Sequence, residues 1–395
     1  MRPNIKLGDL IEVQRGQSYK SVFIGEPGPF LLGLGTIERN GGFRGDNLRP
    51  YGGPTPGHIR LEPGDLYASL KDVTHAADLL GAVARVPKHV SDARLTQDTV
   101  RLDLVSERVD RDFLYWHLRS PRYRAYCRSL GTGTTNLDLS RNDFFGYRFW
   151  LPDRGEQRAI ADVLGALDDK IAANTKLVTT ADDLLAAYLD FYLARSRTEL
   201  VALHDVAELN PDKRTPISGG RLRYVDIASV GVGRLDWPDE SSWDDAPGRA
   251  RRGVRWGDIV WSTVRPNRRS HALILSEDQR LVVSTGLAVF RADHGRWPYL
   301  YEVLRRPEFT TYLEGVAEGS AYPAVKVDRI GAASIPWLAE DEALDEFDAV
   351  AGPLRARVAE AERENVKLAA TRDALLPALM SGRLRVEEAA EVADL

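Results

Sequence analysis

The stretch Ile160-Ala161-Asp162-Val163-Leu164-Gly165-Ala166-Leu167-Asp168-Asp169-Lys170-Ile171-Ala172-Ala173-Asn174 sets apolar residues four and three positions apart. The series Ile160, Leu164, Leu167, Ile171, Asn174, Val178, Ala181, Leu185, Tyr188, Tyr192 continues that spacing and predicts one long helix with a coiled-coil seam. A second series near the end has the same form: Leu344, Phe347, Ala351, Leu354, Val358, Ala361, Asn365, Leu368, Arg372, Leu375, Leu379. Each seam carries one asparagine, Asn174 or Asn365, a residue that fixes register among apolar neighbours. A helix of about 39 residues is roughly 58 Å long, and the simplest partner for each seam is the other helix, antiparallel. Gly352-Pro353 predicts a kink or a restart in the second helix.

Outward from the helices, the chain repeats itself. Lys6–Leu10 pairs with Ala202–Val206, Gly64–Ser69 with Gly257–Ser262, Phe113–Pro121 with Tyr299–Pro307, and Gly133-Thr134 with Gly319-Ser320, always in the same order. The expected organisation is a first mixed α/β unit over 1–154, a helix over 155–198, a second unit over 199–338, and a closing helix and tail over 339–395. The fold class is α+β: two mixed α/β domains separated by two long antiparallel coiled-coil helices, related by a pseudo-two-fold. The tail after Leu379 corresponds to the bridge between helix one and unit two, and is expected to return to the start of unit one. Alternating runs at Gly64–Leu70, Ala82–Val86 and Ile259–Val264 read as strands, and 110–129 and 298–314 as helices interrupted at their prolines.

Composition bounds the function. The 395 residues include one cysteine, Cys127, so disulfides within the chain and cysteine-based zinc sites are excluded. There is neither an apolar run of membrane-spanning length nor an apolar leader near Met1, and a cytoplasmic, reducing setting is expected. The net charge of −5 is uneven: +4 over 1–154, −3 over 155–199, +1 over 200–338 and −7 over 339–395. Arginine-rich, nearly balanced units suit directed bidentate contacts better than indiscriminate phosphate coating. No phosphate-binding glycine motif, methyl-transfer tetrad, nucleophile elbow or histidine pair with ligand spacing occurs, which points to a binder rather than an enzyme and to no metal site.

Three stretches are candidate ligand surfaces. In Ser262–Arg269, Thr263, Arg265, Asn267 and Arg268 follow a strand, and Arg and Asn side chains read guanine and adenine edges bidentately. Its counterpart is Ser69–His75, with Lys71, Thr74 and His75, and Lys71-Asp72 is set against Arg265-Pro266. The second stretch holds Thr132, Thr134, Thr135 and Asn136, paired with Ser320, Tyr322 and Lys326; loops of this kind also serve as ordinary surface turns. The third holds Arg15, Gln17, Tyr19 and Lys20, paired with Lys213 and Arg214, and reads equally as a strand exit with solvated charges. On the helices, Asp162, Asp168, Asp169, Glu360, Glu362 and Glu364 are expected to face outward, repelling DNA and receiving partner proteins.

With these residues in view, the chain resembles the specificity subunit of type I restriction–modification systems. Glu156-Gln157, Ile160-Ala161, Leu167-Asp168, Lys170-Ile171 and Asn174 are similar to that family's central conserved region, and Leu375–Leu384 to its C-terminal one. Glu342-Ala343 and Arg357-Val358 depart from the pattern in the second helix. The resemblance implies two target recognition domains, each reading half of a split, asymmetric site in double-stranded DNA. It implies two docked adenine-N6 methyltransferase subunits, which hold the S-adenosylmethionine, and a restriction–translocase subunit that can join. This chain would itself hold no cofactor. Glu156, Gln157, Asp168, Lys170, Asn174, Arg357 and Asn365 become the candidate partner-docking residues. The competing reading is a coiled-coil scaffold whose α/β units bind proteins.

Overall fold

The computed structural model describes residues 4–46, 48–74, 76–133, 136–319 and 322–393. His75, Thr134, Thr135 and Ser320 therefore lie outside the described residues. The chain divides into two compact units, Met1–Ala172 with Asn365–Leu395, and Ala173–Glu364. Both long helices contribute to both units: the first spans Arg154–Arg195 and the second Asp341–Met380. In unit 1, Ile160, Leu164 and Leu167 share a core with Leu375, Leu376 and Leu379. In unit 2, Leu185, Leu189 and Tyr192 share one with Leu344, Phe347 and Ala351. The start of one helix meets the end of the other within each unit, so the helices pack antiparallel, as the heptads predict. The second helix runs through Gly352-Pro353 unbroken, contrary to the expected restart. The tail packs where expected: Leu384, Val386 and Ala390 lie against the unit 1 core, with Ala389 buried in it.

The two units share one strand plan. Unit 1 has an antiparallel sheet in the order 11–15, 99–104, 66–69, 83–85. Unit 2 has its counterpart in the order 207–209, 287–292, 259–262, 271–273. A second sheet in each contains one parallel pair, Phe30–Leu32 with Ala93–Leu95 and Arg221–Val225 with Leu281–Ser284. A two-stranded ribbon precedes each long helix, pairing Asn4–Lys6 with Arg148–Trp150 and Thr198–Ala202 with Ser334–Leu338.

Local chemistry explains the repeated anchors. In each Gly-Asp pair the glycine has positive φ, 91° at Gly64 and 85° at Gly257, a region that side chains with a Cβ avoid. The following aspartate closes the turn: Asp65 accepts from the Glu62 N–H at 2.9 Å and Asp258 from the Arg255 N–H at 2.8 Å. The predicted helices split at their prolines into Arg111–His117 and Pro121–Ser129, and into Trp297–Arg305 and Pro307–Val316. Pro121 and Pro307 each open a new helix, where the missing N–H costs nothing.

Each core buries a neutral histidine. His117 stacks on Phe149 (4.1 Å between centroids), and burial pushes its pKa down to about 3. His271 stacks on Trp261 at 4.4 Å, its Nδ1 2.7 Å from the Arg269 carbonyl oxygen, and burial lowers it to about 4. Its other neighbours are Tyr301, Arg355 and Asp182. Both folded values lie below the unfolded value near 6.5, so stability is fully present above that pH. It falls as pH drops, by about 1.4 kcal/mol per pH unit for each histidine until the folded pKa is reached. Urea unfolding between pH 7 and 4.5 should show this slope, and His117→Phe should reduce it. An unchanged slope in the variant would show that His117 does not contribute.

Candidate nucleic-acid interface

The first two candidate stretches meet in each unit. In unit 1, Leu137-Asp138 pairs with Asp72-Lys71, and the Leu139 N–H donates to the Leu70 carbonyl at 2.8 Å. In unit 2, the Arg265 N–H donates to the Pro323 carbonyl at 2.7 Å and the Val325 N–H to the Thr263 carbonyl at 2.8 Å. Thr132 with Asp138 and Glu318 with Ala324 form matching bridges. A strand exit and a small-residue loop thus make one composite ridge per unit.

This hydrogen bonding sets the register between the repeats. Ser69 Oγ bonds the Lys71 carbonyl, and Ser262 Oγ bonds the Val264 carbonyl. Lys71 therefore corresponds to Val264 and Asp72 to Arg265, which corrects the expected match of Lys71-Asp72 to Arg265-Pro266. The two equivalent residues do opposite things. Asp72 is fully buried and turns inward, accepting from the Leu79 N–H at 2.6 Å and the Leu80 N–H at 3.1 Å. Arg265 turns outward, its guanidinium 4.7 Å from the ring centre of Tyr322, which is 70% exposed. Arg265 and Arg269 have φ of 52° and 53°, unusual for residues with a Cβ. Exposed Asn267 and Arg268 complete the turn, and among the described residues neither side chain is engaged in a hydrogen bond or ion pair.

Other candidates are more committed. Lys71 pairs with Asp98 at 3.2 Å, and Lys326 with Glu318 at 3.0 Å, both partly exposed. Thr263 is only 8% exposed, and its hydroxyl donates to the Gly286 carbonyl at 3.0 Å. That corrects its assignment as a DNA contact, since the hydroxyl is spent within the fold. Thr74 and Arg214 are half-buried, whereas Thr132, Asn136 and Lys213 are exposed.

The third stretch joins the ridge in unit 1. Arg15 lines a cleft with Lys71, Asp98, Asp138 and Arg141. Gln17 Nε2 lies 3.1 Å from His58 Nε2, Lys20 is exposed, and Tyr19 lines a cavity with Arg49 and Asp98. A residue not singled out in the sequence holds this loop: Arg94, 1% exposed, donates to the Gln17 carbonyl at 3.0 Å and the Ser18 carbonyl at 3.2 Å. Gly16 is required there, because a Cβ would sit 2.1 Å from the Thr96 carbonyl oxygen. Lys213 and Arg214 of unit 2 lie instead along the Ala250–Gly253 strand, where the Arg214 N–H donates to the Arg251 carbonyl.

Several proposed docking residues are internal. Gln157 is fully buried; its Nε2 donates to the Arg108 carbonyl at 2.9 Å and the Pro152 carbonyl at 2.8 Å, and its Oε1 accepts from the Asp110 N–H at 2.7 Å. Asn174 is 3% exposed and donates to Glu364 at 2.7 Å. Asp168 bonds Arg119 at 3.3 Å and Arg372 at 2.5 Å. These three side chains hold the fold, which corrects their assignment to a partner surface. Likewise Glu364 and Asp168 do not face outward, and Glu362 is half-buried with its pKa raised by burial. Asp162, Asp169, Lys170 and Glu360 are exposed, Glu156 and Asn365 half-buried, and Arg357 pairs with Glu360 at 3.2 Å. Among the described residues no group of acidic, histidine or cysteine side chains could hold a metal, and no helix is long and apolar enough to cross a membrane.

No family model matches the chain, and comparison with curated protein sequences finds no match. Comparison of structures does. The type I restriction–modification system S subunit from M. genitalium overlays with a TM-score of 0.65 at 16% identity, covering 96% of each chain. The chain has the fold of a type I restriction–modification S subunit. The HsdS subunit from Thermoanaerobacter tengcongensis aligns over 97% of each chain at 18% identity and a TM-score of 0.36. A further type I restriction–modification structure aligns over 97% of this chain and 98% of its own at 17% identity and 0.40. The assignment of the S-subunit fold rests on the first. The S-subunit fold also accounts for the doubled strand plan and for the two long helices packed antiparallel.

Proposed function

We propose that this chain is the non-catalytic, cytoplasmic DNA-specificity subunit of a type I restriction–modification complex. Each α/β unit reads one half of a bipartite, asymmetric site, over the domain boundaries given by the sequence. The long helices set the spacer and dock two methyltransferase subunits, which supply S-adenosylmethionine and adenine-N6 chemistry; a restriction–translocase subunit can join. The observation that carries this reading is the pair of equivalent ridges with different side chains, Asp72 and Asn136 in one unit, Arg265 and Tyr322 in the other. One strand plan with divergent tips suits two readers of different sequences. Half-buried Arg265 with exposed Asn267, Arg268 and Tyr322 at a strand exit offers groups of the kind that contact base edges and sugar–phosphate backbone. Two readers in one chain also raise each other's effective concentration.

The test is methylome sequencing of a host carrying this chain and its methyltransferase. A bipartite methylated motif that disappears on deletion is expected. Inserting one heptad into each helix should lengthen the unspecified spacer while leaving both half-sites unchanged. A methylation pattern indifferent to deletion, with no duplex binding in the presence of partners, would favour the protein-binding scaffold.

A further inference from the structure

A cavity of about 400 Å³ in unit 1 lies between the loop Arg39-Asn40-Gly41, the helices around Trp116–Arg128 and the second long helix at Arg372–Leu376. Five arginines line it, Arg39, Arg119, Arg124, Arg128 and Arg372, against the single carboxylate Asp373. Two further acids reach the cluster: Asp168 serves Arg119 and Arg372, and Asp78 lies 4.0 Å from Arg39 and 3.7 Å from Arg128. Positive charge remains in excess.

Two residues that line the cavity, Arg124 and Trp116, each bury a donor without an acceptor among the described residues. Arg124 is 2% exposed, and its terminal nitrogens donate to the carbonyls of Leu80, Ala77 and Asp78. Its Nε has no acceptor among the described residues, nor has Nε1 of fully buried Trp116. Buried donors without acceptors are costly and uncommon in native folds.

Unit 2 shows what is missing. Aligned on the repeat, Glu302 stands at the place of Trp116, Thr310 at that of Arg124 and Glu314 at that of Arg128. There Glu302, 4% exposed, supplies the anion from within, bonding Arg355 at 2.5 and 2.8 Å and Arg305 at 3.4 Å. Unit 1 gathers five arginines there around the partly exposed Asp168 and, among the described residues, has no counterpart of the buried Glu302 carboxylate.

We infer that the unit 1 cavity binds a phosphate group, which takes the electrostatic place that Glu302 fills in unit 2. Converging guanidinium forks match tetrahedral oxyanions through paired, charge-assisted hydrogen bonds. Among the described residues the cluster occurs in unit 1 and not in unit 2, so the site serves no ligand that docks alike on both units. The phosphate belongs either to the DNA backbone or to a small phosphorylated ligand.

The experiment uses the full chain, with inorganic pyrophosphate and a non-specific duplex as probes. Pyrophosphate at millimolar concentration should raise the melting temperature of the natural protein beyond potassium chloride of equal ionic strength. In R39E/R128E, and in the milder R39Q/R128Q, that shift should vanish. Duplex binding distinguishes the sources: a salt slope reduced by about one in the variant, uniformly across sequences, assigns the site to a backbone phosphate. Lost pyrophosphate response with unchanged duplex binding assigns it to a small ligand. No shift in the natural protein together with an unchanged salt slope overturns the inference, as does an equal shift in natural and variant proteins. The pyrophosphate arm does not require sequence-specific reading, so the specificity-subunit proposal can fail while this site stands.

Discussion

Arg355→Ala should destabilise unit 2 by about 3–5 kcal/mol, the cost of leaving buried charge uncompensated. Arg355 is 4% exposed and grips Glu302 bidentately, while its Nη1 donates to Asp182 at 2.5 Å. Arg305 shares the same two carboxylates, at 2.8 Å from Asp182 and 3.4 Å from Glu302. Burial pushes the Glu302 carboxyl above its ordinary value, with Arg355 opposing that rise. Removing it leaves Arg305 to serve two acids, Glu302 buried and Asp182 partly exposed, between both long helices and the α/β domain. Denaturant unfolding followed by tryptophan fluorescence reads the loss, as a shifted first transition if the units unfold separately. Arg355→Met with Glu302→Leu should recover most of it, since an ion pair replaced by packed apolar groups costs little. A loss below about 1 kcal/mol for Arg355→Ala would mean that water reaches the network and screens it.

Arg265→Ala should weaken recognition of one half-site by about 1–3 kcal/mol and relax the base preference at one position, leaving the other half-site intact. Its guanidinium stacks over Tyr322, a contact that would reduce the entropy lost on binding the duplex of the proposed function. Its φ of 52° is a strained conformation of the kind kept at functional positions. Binding titrations on duplexes varied one base pair at a time provide the measurement. Equal weakening on every sequence, with a reduced salt slope, would make Arg265 a phosphate contact instead. Tyr322→Leu should reproduce part of the loss by releasing the guanidinium.

The long helices were legible because their signal is local: a period of 3.5 residues can be read along the chain without knowing any partner. The Gly-Asp turns and the helix-opening prolines were legible for the same reason. What sequence could not place was whatever depends on distant partners. Asp168 looks like an outer acid until Arg119 and Arg372, 49 and 204 positions away, close around it. Gln157 looks like a surface motif until the Arg108 carbonyl and the Asp110 N–H enclose it. The match of Asp72 to Arg265 was missed by one residue, although each lies three positions after its paired serine; the hydroxyl bonds of Ser69 and Ser262 and the ladder through Leu139 and Val325 fix it. The arginine cavity draws on three segments, and its one local sign was Arg124 and Arg128 one helical turn apart.

The ion pairs at the seam divide their roles by helix. In both units the first helix supplies the acid, Asp168 or Asp182, and the second supplies the base, Arg372 or Arg355. Two copies of the first helix paired antiparallel in the same register would bring Asp168 and Asp169 level with Asp182 and Asp183. Two copies of the second would gather arginines in the same way. Like charges at close quarters cost energy that neither arrangement recovers. The charges therefore favour a first helix paired with a second helix over two helices of the same kind. A first half paired with a copy of itself would lack Arg355 and Arg372, the bases that hold Asp182 and Asp168 at the seam.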